Sequence, residues 1–395
     1  MKRILIWDKG LPLVNSGGPG GYLWNLKQYL DHHAPEYKKQ IYYYSESIKE
    51  TPAKVSLFDR CINAFFRKLG FNTIAVLYSM YFTHTTLSNA EIEQIKKYDY
   101  VHIHSLPFIL RYGLQLKKNG IRIIYTTHTP ELMVDEVMNN SNLGMSIFER
   151  RLINRKVFIK RELFAYKLAD HIMFPVKGVE DCDTCMSEDI KTFFNNTSNI
   201  FYTPTAILDS KLEKSEQKIL SEYNIPSNAK VVCYVGRHTL VKGYDYLKQL
   251  ASELFKKRDD VYFVIGGSQG FSEPLNNPRW IELGWVNTHQ LLSEVDVFIL
   301  PNQQTYFDII ALEVLRAGVP LITTPTGGNK YFESINNGGL SFIPKADTEN
   351  AVAIIDSTLE EVLKQKGEKC RSLYLENFTF KQYLNTYISQ INMLK

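Results

Sequence analysis

Short runs of β-branched and aromatic residues alternate with longer stretches of helical spacing along most of the chain. RILIWDK opens the series, and a glycine-rich loop carries it into YLWNLKQYL, whose apolar positions recur at helical spacing. IYYYS, YVHIHS, IRIIYTTH, HIMFPV and NIFYT follow, and helical patterns separate most of them. This alternation predicts a parallel sheet with helices on both faces. The scheme then repeats: VVCYVG, VYFVIGG, IELGWV, VDVFILP and VPLITT read as strands. YDYLKQLASELFKK, HQLLSEV, DIIALEVLRAG and residues 347–366 read as the helices between and after them. The fold class is therefore α/β, with two doubly wound, Rossmann-like domains. The join is placed in TPTAILDSKLEK, near residues 203–214. In such sheets ligands bind beyond the carboxyl ends of the strands, and two facing sheets put both sets of ends around one central cleft.

Length agrees with this division, because 395 residues exceed one ordinary core. Hydrophobic content of 44% and charged content of 22% describe a globular protein. No apolar run reaches the roughly 18 residues of a membrane span; FNTIAVLYSMYF is too short and carries polar residues. MKRILIWDKG lacks the form of a signal peptide, and five scattered cysteines suit a reducing compartment, so a cytoplasmic protein is expected. The net charge of +4 is uneven. Residues 1–205 hold 26 Lys/Arg against 20 Asp/Glu, and residues 206–395 hold 20 against 22. The first half is thus +6 and the second −2, too mild for a nucleic-acid binder but suited to a first lobe that meets an anionic surface or substrate.

Residues just after each strand carry the candidate chemistry. After the first strand comes NSGGPGGYLWNL, where Gly17, Gly18, Gly20 and Gly21 allow close backbone approach and free amides at a helix start face an anion. The loop is not GxGxxG, so its dinucleotide signal is weak. His128 follows IRIIYTT and is placed to bond a sugar hydroxyl or act near a transferred group. His102 and His104 are assigned to structure. GRHTLVKG, residues 236–243, is the strongest phosphate site: Arg237 offers a planar fork of donors and Lys242 a point charge, at a helix start where two cations gain nothing without an anion between them. Farther along, Glu313 falls inside an apolar helical pattern, where a carboxylate needs good hydrogen bonds and a ribose diol would supply them. The amides of Asp308, Ile309 and Ile310 sit at that helix start and again aim at phosphate.

Two short acidic or thiol motifs carry little. Asp181-Cys182-Asp183 has the D-x-D form of a metal–diphosphate site but lies beyond a strand end in polar sequence. Cys182 and Cys185 form a lone CDTC without a second pair or a nearby His. No metal site is expected, and charge neutralisation falls to Arg237, Lys242 and backbone amides. From Phe148 to Lys167 seven Lys/Arg accompany two Glu among recurring apolar residues. A basic amphipathic helix of this kind can lie on anionic lipid, and it can equally be a long helix with a solvated face. KVSLFDRCINAFFRKLGFNTIAVLYSMYF adds a second aromatic, partly basic region in the same lobe.

Two doubly wound domains, a glycine-rich first loop, HTP after an early strand, GRxxxxKG and a Glu-bearing helix together resemble the retaining glycosyltransferases of GT-B fold, family 4. The resemblance spans nearly the whole chain. Its specific element is GRHTLVKG with TYFDIIALEVLRAGVPLI about 65 residues later. It implies that Arg237 and Lys242 bind the diphosphate of a nucleotide-sugar, that Glu313 takes the ribose hydroxyls, that Gly18 approaches phosphate and acceptor, and that His128 orients the donor sugar. It implies domains at 1–205 for the acceptor and 206–378 for the nucleotide-sugar, with a final segment 379–395 crossing back to the first. Two positions depart from the family: Thr305 stands where a Glu is usual, and Asp308 where a Gly is usual. The first contacts donor-sugar hydroxyls in the family, so either the sugar is unusual, a group such as Asp308 substitutes, or activity is low.

The expected activity is transfer of a hexose or related sugar from a nucleoside-diphosphate sugar to a glycan or polyprenyl-linked acceptor, with retained configuration and no cofactor. A role in surface polysaccharide assembly and peripheral contact of the basic lobe with the inner membrane face go with it. Two rivals stand beside it. An epimerase acting on nucleotide-sugars would convert donor alone, and a non-catalytic subunit would only bind it.

Overall fold

The computed structural model describes residues 1–11, 13, 18–49, 55–129, 131–139, 143–180, 187–210, 218–268 and 272–394. It divides into two compact units. The first holds Met1–Phe174, Asp183–Thr203 and the chain from Tyr387 onward; the second holds Pro175–Cys182 and Pro204–Thr386.

The first unit begins with β1 (Ile4–Trp7), α1 (Gly18–His32), β2 (Ile41–Tyr43) and α2 (Tyr44–Ser47). Next come α3 (Leu57–Lys68), α4 (Asn72–Phe82), α5 (Asn89–Ile95), β3 (Tyr100–Ile103) and α6 (Leu106–Lys118). It continues through β4 (Ile123–Tyr125), α7 (Met133–Met138), α8 (Ile147–Leu152), α9 (Arg155–Leu168), β5 (His171–Phe174), α10 (Glu188–Asn196) and β6 (Ile200–Tyr202). Its six strands are all parallel, in the order β2-β1-β3-β4-β5-β6. Every side chain of β1 and β3 is buried, as a sheet covered on both faces requires.

The second unit runs β7 (Lys230–Val235), α11 (Tyr244–Lys257), β8 (Val261–Gly266), β9 (Trp280–Gly284), α12 (Thr288–Leu291) and β10 (Val297–Leu300). It continues with α13 (Ile309–Ala317), β11 (Leu321–Thr323), α14 (Lys330–Ile335), β12 (Leu340–Phe342), α15 (Thr348–Glu360) and α16 (Leu363–Asn377). α17 (Phe380–Met393) starts in this unit and ends in the first. The second sheet is also parallel, in the order β12-β11-β10-β7-β8-β9. Its core packs Leu247, Leu250 and Phe255 of α11 against Phe263 and Trp280. Phe255 meets Phe263 edge-on at 5.5 Å, a favoured aromatic geometry.

Two helical stretches differ from the sequence expectation. The basic stretch 148–167 is two helices, α8 and α9, because Ile153 turns extended (φ −78°, ψ 109°). Residues 347–366 likewise divide, with Glu361 extended (φ −72°, ψ 166°) between α15 and α16. Asp181, Cys182, Asp183 and Cys185 lie outside the described residues. No described helix is long and apolar enough to cross a membrane.

Candidate functional site

β7 and β10 are parallel neighbours, so the loops after them leave the same edge of the second sheet side by side. Between these two strands the order of connection reverses, since β8 and β9 lie on one side and β11 and β12 on the other. That is where open α/β sheets leave a crevice for ligands. The first loop is GRHTLVKG, held in shape by backbone contacts. The Tyr234 hydroxyl donates to the Arg237 carbonyl at 3.0 Å. The Val241 carbonyl accepts from the amides of Gln303 (2.9 Å) and Gln304 (3.2 Å), tying the loop to the one after β10. Gly243 has φ +71°, and a Cβ there would stand 1.9 Å from the Pro301 carbonyl oxygen. Its glycine is thus demanded by the neighbouring backbone as well as by its dihedral.

The charged groups on these loops are disposed unequally. Arg237 is exposed and has no side-chain hydrogen bond or ion pair among the described residues. Lys242 is half-buried and its ammonium pairs with Asp308, whose carboxylate also accepts from Asn302 Nδ2. Asp308 stands at the N-cap of α13, yet its side chain makes no cap bond, leaving the first-turn amides of Ile309 and Ile310 without that acceptor. Glu313, one turn into α13, is half-buried and has no hydrogen-bond partner among the described residues. Burial pushes its pKa up, and the nearby Arg316 opposes this. A carboxylate so placed is costly until donors reach it. Thr305 is buried, and its carbonyl accepts from the Gly328 amide at 3.4 Å. A Cβ on Gly327 (φ +51°) would lie 1.9 Å from that same carbonyl. The second unit therefore brings Lys242 and Asp308 together and sets Arg237, Thr305, Ile309, Ile310 and Glu313 on the same loop pair and helix.

Gly18 and His128 belong to the first unit. There the order reverses between β1 and β3. Gly18 opens α1, while residues 14–17 of its loop and Pro130 of HTP lie outside the described residues. His128 ends a ladder of rings. His102 and His104 pack tilted by 31° with ring centres 4.0 Å apart, and His104 and His128 stack at 5.3 Å with Nδ1 to Nε2 at 3.1 Å. Thr126 Oγ1 donates to the Met173 carbonyl at 3.1 Å, so it accepts from His102 Nε2 at 2.9 Å. His102 Nδ1 then accepts from the Tyr387 hydroxyl of α17 at 2.7 Å. Burial drives all three imidazoles down, His102 to about 3 and His128 to about 4, so His128 is neutral near pH 7. It can donate or accept a hydrogen bond there but is no cation. A cavity of about 460 Å³ opens at this reversal point, lined among others by Lys9, Thr85, Ser105 and Arg111. Lys9 is already paired with Glu91 at 2.7 Å. Arg111 donates to the Ser79 carbonyl at 2.8 Å, and neither its Nε nor Thr85 Oγ1 has a partner among the described residues.

Three residues of these sites escaped sequence reasoning. His238 is buried, stacks on Tyr244 at 4.1 Å with rings 7° apart, and holds Nε2 3.8 Å from Glu282. Asn302 fixes Asp308, and Tyr387 fixes His102. Only His238 had a local signal, its place within GRHTLVKG.

Two parallel six-stranded sheets with sites at their strand-reversal points define a GT-B fold, and comparison with solved structures agrees. HepE from Anabaena, solved with UDP, superposes with a TM-score of 0.62 over 100% of both chains at 12% identity. Sucrose-phosphate synthase from Thermosynechococcus elongatus gives 0.60 over 99% of this chain and 98% of its own, at 14% identity. Residues 229–361 match the family Glycosyl transferases group 1. Among relatives, a 41.2 kDa protein of the cps region of Klebsiella pneumoniae is 24% identical over 74% of this chain and 78% of its own. N-acetyl-alpha-D-glucosaminyl L-malate synthase of Bacillus anthracis is 22% identical over 82% of this chain and 83% of its own. The chain thus has the GT-B fold, and its residues 229–361 are similar to those of group 1 glycosyltransferases.

Proposed function

We propose that this protein moves a hexose or related sugar from a nucleoside diphosphate to a glycan or lipid-linked acceptor in polysaccharide assembly, with anomeric configuration retained. The observation that carries the reading is a pair of groups in the second unit without a side-chain partner among the described residues, the Arg237 guanidinium on the loop after β7 and the Glu313 carboxylate one turn into α13. A nucleoside diphosphate answers both, with phosphate oxygens for one and a ribose diol for the other. Lys242 adds a second cation, since an ammonium has more than one donor and need not leave Asp308 to reach a phosphate. The Ile309 and Ile310 amides complete the anion's surroundings. The relative from the cps region of Klebsiella pneumoniae and one from Bacillus subtilis named for teichuronic acid biosynthesis support the process, and HepE solved with UDP-glucose supports the donor class.

In this reading the bond from the anomeric carbon to the diphosphate breaks as the bond to the acceptor oxygen forms on the same face. The acceptor's proton passes to the departing phosphate. The protein's share is alignment and stabilisation of the charge that builds on that phosphate, with no metal ion or cofactor invoked. His128, held neutral, bonds a donor-sugar hydroxyl and orients the ring. Thr305, where the family has a carboxylate, is the residue that narrows the choice of donor sugar.

The test begins with thermal unfolding in UDP-, GDP- and ADP-sugars, because a ligand bound only by the folded state raises its melting point. The stabilising donor is then incubated with isolated lipid-linked glycan, and the product anomer is read by NMR. The expected result is diphosphate release with the donor's configuration kept. An inverted product, or conversion of donor alone to an epimer, overturns the proposal.

A further inference from the structure

Helix α3 is built inside out. Its Asp59 is buried, accepting from the Tyr78 hydroxyl at 2.7 Å and the His84 amide at 3.0 Å. Asn63 also turns inward, donating to the Ala75 carbonyl of α4 at 3.3 Å. Ile62 and Phe66 are half-buried, Phe66 against Tyr78 at 6.2 Å, but four other large apolar side chains face the other way: Leu57 is 74% exposed, Phe58 70%, Phe65 58% and Leu69 50%. Phe58, Cys61, Phe65 and Leu69 fall at steps of three and four, which makes one continuous outward stripe. Helices of globular proteins normally bury such a stripe and expose the acid.

Helix α8 repeats the inversion. Glu149 is buried, capping the start of α4 by accepting from the amides of Thr73 (3.1 Å) and Ile74 (3.4 Å). Ile147, Phe148 and Leu152 are 76%, 59% and 53% exposed. The two helices adjoin through Phe71, which follows α3 and meets Phe148 at 5.8 Å between ring centres. Since the acids of both helices are spent inside the unit, every charge they present outward is positive: Arg60, Arg67, Lys68, Arg150 and Arg151.

We propose that this α3–α8 face docks on an anionic lipid bilayer, with its aliphatic and aromatic side chains in the acyl boundary and its arginines and lysine among the headgroups. Charge complementarity selects the occupant. An apolar patch whose two helices turn no carboxylate outward and present five cations matches a surface that is apolar below and uniformly negative above. A second copy of the face would set like charges against like. Val55, just ahead of α3 and 39% exposed, also lines the 460 Å³ cavity, so the docked face would hold that cavity beside the lipid. α9 plays the smaller part, because its Ile159, Ala165, Tyr166 and Leu168 are buried. Docking does not depend on the transfer reaction; its link to a lipid-borne acceptor rests on the reading above.

The test is co-sedimentation of the full-length protein with vesicles of phosphatidylglycerol in phosphatidylcholine, against phosphatidylcholine alone. Binding to the anionic vesicles is expected, weakening as salt rises. Phe58→Glu with Phe65→Glu should lower vesicle affinity at least tenfold, and Arg150→Gln with Arg151→Gln should lower it on anionic vesicles only. Both doubles replace exposed side chains, so an unchanged melting temperature and unchanged nucleotide binding verify folding. Equal binding to both vesicle types, or no effect of either double, overturns the proposal. A concentration-dependent dimer in sedimentation velocity that Phe58→Glu with Phe65→Glu abolishes also overturns it, as does no vesicle binding by the parent protein. Vesicle binding without transfer to a lipid-linked acceptor would leave this face intact and count against the proposed reaction alone.

Discussion

Lys242 has two partners in prospect, Asp308 in the structure and a diphosphate in the proposed reaction, and they can be separated. In Lys242→Ala the Asp308 carboxylate, only 8% exposed at its side chain, loses its cation and keeps Asn302. An uncompensated buried charge of this kind costs about 3 kcal/mol. For a unit of this size that lowers the melting temperature by roughly 6–12 °C. Asp308→Asn in the same chain removes the stranded charge and should return most of the lost stability. It should not return affinity for the nucleotide, because the cation is still missing. The assay is a cycle of the two single variants and the double, each followed by thermal unfolding and by calorimetric titration with UDP and GDP. Expected is coupling in stability near the size of the single loss, with nucleotide binding weakened alike in Lys242→Ala and the double. Should the double bind nucleotide as the parent does, Lys242 would be only a structural partner of Asp308, and the phosphate role assigned to it would be refuted.

Glu313→Gln should weaken nucleoside diphosphate binding roughly tenfold while leaving inorganic diphosphate binding unchanged, since the lost acceptor faces ribose; calorimetry with both ligands decides it. Gly327→Ala should destabilise the second unit by more than about 2 kcal/mol in urea unfolding, because the new Cβ meets the Thr305 carbonyl and φ +51° adds strain. The histidine ladder predicts acid sensitivity. Its folded pKa values are depressed, so its contribution is full above the unfolded value near 6.5 and is lost as pH falls through about 4 for His128 and about 3 for His102. Melting curves from pH 7 to pH 4 should show a steep loss that His102→Gln flattens. A parallel loss in both proteins would deny the ladder that role.

Parallel strands announced themselves through buried apolar runs such as ILIW and VFIL, and the strand-end rule found the loops around Arg237 and Glu313. β12 was missed because LSF is three residues long and gives no periodicity to read. The Lys242–Asp308 pair joins residues 66 apart, and no local pattern encodes such a meeting. In α3 the apolar spacing was visible but its direction was not, because periodicity says that a helix has two faces and only Asp59 and Asn63 say which one turns inward. The break at Ile153 was hidden by continuous helix-forming residues on both sides. Its signal was Asn154, a residue type favoured at helix starts, which stands at the N-cap of α9.

α17 completes the first unit, and it is made after every strand of the second. Tyr387 is fully buried and bonds His102, and near the other terminus the Lys2 ammonium reaches the Leu394 carbonyl. The first unit is thus synthesised almost whole yet waits for α17 before His102 gains its hydroxyl partner. A nascent chain stalled anywhere before Tyr387 carries an unfinished N-terminal core, and an N-terminal fragment ended at Thr203 would need the tail grafted back before it could stand alone.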